Sequence, residues 1–164
     1  MNSPKRPLSP EQARNRIAAL CARSEQAPKD VLDKLTDWGI GTEEASRIVS
    51  DLTEQGFVDE RRYARAFVKD RFAFNGWGKI KIEHHLRLKG IPAQAIAQAM
   101  TVIDDRLYRE RLTELLRAKW RTVSQREPRA AWAAMMRFAA SRGFEAAIAA
   151  QCVQQVTRID ADQD

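Results

Sequence analysis

GFVDERRYARAFVKDRFAFNGWGKIKIEHHLRLKGI, residues 56–91, contains the start and stop signals of two helices and the turn between them. Gly56 suits the end of one helix, and Asp59 can cap the next by accepting hydrogen bonds from its first-turn N–H groups. Tyr63, Ala64, Phe67 and Val68 then recur every three or four residues, which puts them on one helical face; Arg61, Arg65 and Lys69 recur every four and form a ridge on another. Gly76 and Gly78 bracket Trp77 in a turn, and a second helix runs from Gly78 to Lys89 and stops at Gly90. The spacing is 3.6, not the alternation a strand requires.

The same grammar extends in both directions. Upstream, Ser9 and Gln12 form a capping box for a helix with Ala13, Ile17, Leu20 and Cys21. Pro28 opens a second with Val31, Leu32, Leu35 and Trp38, and Thr42 caps a third with Ala45, Ile48, Val49 and Leu52. Downstream, Pro92 starts a helix with Ile96, Ala99, Met100 and Ile103. Asp104 or Asp105 caps one with Tyr108, Leu112, Leu115 and Leu116. Pro128 opens another with Trp132, Met135, Met136 and Ala139, and the last runs from about Glu145 to Val156. Gly39, Gly90 and Gly143 supply a register: aligned on them, Ile40 meets Ile91 and Phe144, Ala45 meets Ile96 and Ala149, Val49 meets Met100 and Val153, and Leu52 meets Ile103 and Val156. A shared glycine followed by four apolar columns marks an internal repeat. The expected fold is all-α, an elongated tandem array of three three-helix, helix-turn-helix-like repeats at 9–56, 57–103 and 104–158. Disordered ends are expected at 1–8 and 159–164.

Composition narrows the function. The 164 residues are 44% hydrophobic, enough for a core, and include 28 Lys and Arg against 22 Asp and Glu. The excess is concentrated: residues 57–143 hold 19 basic and 9 acidic side chains, a net charge of +10. Such a segment favours an acidic partner, nucleic acid among them. Cys21 and Cys152 have neither metal-ligand nor disulfide-framework spacing, no segment approaches the roughly 20 apolar residues of a membrane span, and the N-terminus lacks a secretory pattern, so a cytoplasmic monomer is expected.

Three blocks resemble the RecX family, regulators of the bacterial recombinase RecA. Gly56, Phe57, Val58, Asp59, Glu60, Arg62, Tyr63 and Ala64 follow its first pattern. Gly76, Gly78, Lys81, Ile82, Leu86, Lys89, Gly90 and Ile91 follow its second, and Arg137, Phe138, Arg142, Gly143 and Phe144 its third. Two positions depart: His85 stands where the family has glutamate, and Lys79 where it often has proline. The resemblance implies a non-enzymatic, cofactor-free modulator, chiefly a negative regulator, that binds the RecA filament on single-stranded DNA and alters its strand exchange and ATP hydrolysis. DNA contacts alone would be weak and made through phosphate.

The residues expected to meet such a partner are Arg61, Arg62, Arg65, Lys69, Lys79, Lys81, Arg87 and Lys89, a basic set that could face phosphates or an acidic protein surface. A solvated helix face would be basic as well, but the clustering favours a partner. Trp77 either presents its ring to a base or fills a gap between helices, and packing is the commoner use. Trp132, Met135 and Met136 read as core, as do Trp38 and Trp120. His84 and His85 point about 100° apart on a helix and cannot grip one metal together. Asp59-Glu60 and Asp104-Asp105 begin helices, where capping explains them better than acid–base chemistry. No phosphate-binding loop, metalloprotease motif or nucleophile elbow is present. The alternative reading is a stand-alone non-specific DNA-binding helical-repeat protein.

Overall fold

A computed structural model describes residues 6–163, and among them nine α-helices and no strand occur. In chain order they are α1 (Pro10–Arg23), α2 (Pro28–Asp37), α3 (Thr42–Glu54), α4 (Glu60–Ala73), α5 (Lys79–Leu88), α6 (Ala93–Met100), α7 (Asp105–Val123), α8 (Pro128–Ser141) and α9 (Ala146–Ala161). The protein is therefore an all-α array of helical repeats.

The starts of the helices follow the local chemistry. The capping box is formed: Gln12 N–H donates to Ser9 Oγ at 3.2 Å, and Ser9 N–H to Gln12 Oε1 at 3.1 Å. Asp104 Oδ1 accepts from Leu107 N–H at 3.1 Å, so Asp104 and not Asp105 is the cap. Thr42 does not cap α3; it is the first helical residue, and Gly41 occupies the cap position without a side-chain bond. α9 continues to Ala161, past the expected helix end near Val156 and into the expected tail at 159–164. Of the expected lead-in at 1–8, residues 1–5 lie outside the described residues, and Leu8 packs against the first core.

The repeat register is a three-dimensional fact. Gly39, Gly90 and Gly143 have φ of 87°, 73° and 90°, the left-handed region that a helix-ending turn uses and a side chain resists. The residue after each closes the same turn: Ile40 N–H donates to Leu35 O, Ile91 to Leu86 O and Phe144 to Ala139 O, at 3.0–3.1 Å. Ile40, Ile91 and Phe144 are buried, as are Ala45, Ile96 and Ala149, and Leu52, Ile103 and Val156; Val153 is buried while Val49 and Met100 are half-buried.

Packing groups these helices into two compact units, residues 1–66 with 86–96, and 67–85 with 97–164, so the helices of the middle repeat are shared between them. The repeat boundaries at 56 and 103 accordingly stand as a proposal about sequence units. In the first unit, Ala13, Ile17, Val31, Leu35, Ile40, Ala45, Ile48, Leu52 and Val58 form one buried cluster, with Trp38 half-buried against it under the Arg16 guanidinium. In the second, α7, α8 and α9 pack on one another. Their core includes Leu112, Leu116, Met135, Ala139, Phe144 and Val153, and Tyr108 lies between Phe72 and Phe144 with ring centroids 5.9 and 5.0 Å away.

Trp132 is not core: it is 49% exposed. Ala131, Ala134, Met135 and Ala139 form the buried face of α8, and Trp132 lies one residue, about 100°, round from it. In so alanine-rich a helix the stripe is degenerate, and the large residues were a poor guide to the inward face. Met136 and Trp120 are half-buried, the latter donating its indole N–H to Asp160 Oδ2 at 2.8 Å.

Within the second unit the turn before α5 meets the turn between α8 and α9, backbone against backbone. Gly78 N–H donates to Arg142 O at 2.7 Å and Ile80 N–H to Gly143 O at 3.0 Å. A Cβ on Gly78 would lie 2.5 Å from Phe144 N, and one on Gly143 2.6 Å from Lys81 N, so neither side of the crossing tolerates a side chain. Tyr108 closes the joint: its hydroxyl accepts from Lys79 N–H at 2.9 Å and donates to Glu145 Oε1 at 3.0 Å.

Candidate partner-binding surface

Asp59 sets the start of α4: its Oδ1 accepts from Arg61 N–H and Arg62 N–H, both at 3.0 Å. The helix that follows places Arg61, Arg65 and Lys69 four residues apart, all exposed. Among the described residues these three side chains have no hydrogen bond or ion pair, so their charge is available to solvent or to a partner.

The other expected contacts divide differently. Arg62 is 45% exposed but is paired within the first unit. Its Nε donates to Glu25 Oε1 at 2.5 Å and its Nη2 to Gly56 O at 3.0 Å, and the bond to Glu25 holds its guanidinium pKa above the ordinary value. Lys89 donates to Asp30 Oδ1 at 2.9 Å, which raises its pKa. Lys79 lies 3.5 Å from Asp105 Oδ1 and 4.8 Å over the Tyr108 ring, so its charge has partners within the unit. Arg87 is exposed and has an interaction of its own. Lys81 stands 4.5 Å over the Trp77 ring.

Trp77 both packs and receives cations. Its ring is half-buried, 4.6 Å from His85 and 6.2 Å edge-on to Phe67, with Arg71 at 5.1 Å on it as well as Lys81. His85, where a glutamate was expected, thus serves as a ring partner. His84 and His85 lie 5.8 Å apart, edge to face. No three His, Cys, Asp or Glu side chains among the described residues are grouped so as to hold a metal ion. No helix among them is long and apolar enough to cross a membrane.

Three arginines hold the expected turn between α4 and α5 in place. Arg71 donates to Asn75 Oδ1 at 3.2 Å, Arg142 to Asn75 O at 3.0 Å and Arg111 to Ala73 O at 3.4 Å. Arg142 had a signal, being part of the third motif block. Arg71 and Arg111 had none, because nothing in the chain order says that α7 supports this loop.

Residues 59–100 match the family model described as RecX, second three-helix domain. The chain is 31% identical over 152 residues to regulatory protein RecX of Stenotrophomonas maltophilia strain R551-3, covering 90% of this chain and 86% of that one. It is 30% identical over 111 residues to regulatory protein RecX of Mycolicibacterium smegmatis, of whose length it spans only 59%. In structure it superimposes on the crystal structure of RecX from Lactobacillus salivarius with a TM-score of 0.81 at 20% identity, covering 90% of this chain and 96% of the other. The two relatives from Stenotrophomonas maltophilia and Mycolicibacterium smegmatis are named as regulatory proteins and not as enzymes. With a curated relative matched over most of both lengths, and the motif blocks of residues 56–91 and 137–144 meeting at one glycine crossing, the chain belongs to the RecX family of regulatory proteins.

Proposed function

We propose that this protein binds the RecA filament on single-stranded DNA and lowers its strand-exchange and ATP-hydrolysing activity, without chemistry of its own. Family membership supports the regulatory part. One observation supports the mode of contact: Arg61, Arg65 and Lys69 are exposed along one helix with no carboxylate answering them among the described residues, inside a segment of net charge +10. Arg62, Lys79 and Lys89 belong to the scaffold in this reading. The test is cosedimentation with RecA on single-stranded DNA beside naked DNA at matched salt. Replacing Arg61, Arg65 and Lys69 together by glutamate is expected to weaken filament binding with the circular dichroism spectrum preserved. Undiminished binding by the folded triple variant would refute the assignment.

The second reading, a stand-alone non-specific DNA-binding protein, draws on the same cations. Base readers are few on the third helix of each repeat, and two are engaged internally: Arg47 approaches Glu44 at 3.7 Å, and Gln151 accepts from Arg109 at 2.6 Å. A steep salt dependence on naked DNA, with no affinity added when RecA coats it, would favour this reading.

A further inference from the structure

Phe74 is 81% exposed, the most exposed of the large apolar side chains, and it lies directly after α4 in the loop that leads to Trp77. An exposed aromatic ring on a mobile segment would mean little. This one stands on a braced mount. Phe74 N–H donates to Asp70 O at 2.9 Å, and Trp77 N–H returns to Arg71 O at 3.0 Å. Arg142 and Arg111 secure the carbonyls of Asn75 and Ala73 on either side of it. Gly76 turns with φ 64°, and a Cβ there would lie 3.2 Å from Leu115 Cδ1, so the loop also rests on α7.

The braces are cationic. Arg71, Arg111 and Arg142 each present five N–H donors, of which the loop uses one, and only Arg111 has a carboxylate partner among the described residues, Glu114 at 3.3 Å. Lys81 adds a fourth cation at Trp77. An exposed aromatic ring on a backbone whose flanking residues are held by guanidinium groups complements a ligand that is flat and apolar in one part and anionic in the next, which describes an unpaired nucleotide.

We infer that Phe74 is a stacking post for an unpaired base of single-stranded DNA, with Arg71 and Arg142 attracting the flanking phosphates. The inference rests on the nucleic-acid part of the proposed function but is read on DNA alone, so the two can fail separately. The experiment is fluorescence anisotropy of a labelled oligo(dT) titrated with the full chain across a salt series. Phe74→Ala is expected to weaken binding about 5- to 150-fold, the range for one lost base stack, and Phe74→Trp to preserve it. Because stacking releases no counterions, the slope of log affinity against log salt should be the same for Phe74→Ala and the wild type. Three outcomes would overturn the inference: Phe74→Ala binding within twofold of wild type, a changed salt slope, or no oligo(dT) binding by the wild type. If Phe74→Ala binds oligo(dT) normally but no longer cosediments with the recombinase filament, the ring enters a protein pocket; the inference is then lost while the proposed function stands.

Discussion

Replacing Gly143 by alanine sets a methyl carbon 2.6 Å from Lys81 N and 2.9 Å from Lys81 Cα, at a φ of 90°. The left-handed backbone alone costs an L-residue about 1–2 kcal/mol. Crowding against another backbone, which has no flexible end to move, adds about 1–3 kcal/mol. If the turns separate to relieve it, the bonds from Gly78 N–H to Arg142 O and from Ile80 N–H to Gly143 O weaken, each contributing about 0.5–1.5 kcal/mol. Whether the crowding stays or is relieved at the cost of those bonds, the expected loss is therefore about 2–5 kcal/mol. Gly90 is the internal control: it fills the same repeat position with φ 73°, but a Cβ there meets nothing within 4 Å, so Gly90→Ala should cost only the conformational 1–2 kcal/mol or so. Urea unfolding followed by circular dichroism measures both, and in a thermal melt each kcal/mol should appear as about 2–4 °C. A Gly143→Ala variant within about 1 kcal/mol of Gly90→Ala would show that the crossing is not a structural joint, and the reasoning would fail.

Three further outcomes follow from the same contacts. Arg62→Ala should lower stability by about 1–2 kcal/mol, since Glu25, with one buried oxygen already unpartnered, loses its donor, and filament binding should stay within about twofold of wild type; a loss of binding without a loss of stability would return Arg62 to the binding surface. Tyr108→Phe removes the acceptor of Lys79 N–H and the donor to Glu145, for about 1–3 kcal/mol, and amide hydrogen exchange at Lys79 should quicken, whereas an unchanged Lys79 amide would refute the joint. The Lys89 pKa is raised above 10.5 by Asp30, so its contribution to stability is fully present below about pH 10.5 and is lost as pH climbs through the higher folded value; Lys89→Gln should flatten that alkaline decline in urea midpoints, and an identical pH profile would exclude the pair.

The helices and their order were legible because their signals are local. Ser9, Asp59 and Asp104 cap with their own side chains, and Gly39, Gly90 and Gly143 close the same turn in each repeat, so neither depends on a distant residue. The basic ridge on α4 was legible for the same reason, being a matter of spacing along one helix. Which cations are free was not. Arg61 and Arg62 are chain neighbours, yet one faces solvent and the other Glu25, 37 residues away, and that pairing exists only once the first unit is packed. The three turn glycines are alike in sequence and in φ, but a Cβ would come within 3 Å of another backbone only at Gly143, where the α4–α5 turn crosses; at Gly39 it would meet the Pro7 side chain at 3.1 Å and at Gly90 nothing within 4 Å. Trp132 and Phe74 are exposed against their hydrophobicity for a related reason: which face of an alanine-rich helix turns inward, and what braces a loop, depend on neighbours from elsewhere in the chain. Local hydrogen bonding and backbone preference are properties of a few adjacent residues and can be read from them; burial and charge pairing are properties of residues brought together by folding, and only the tertiary structure decides them.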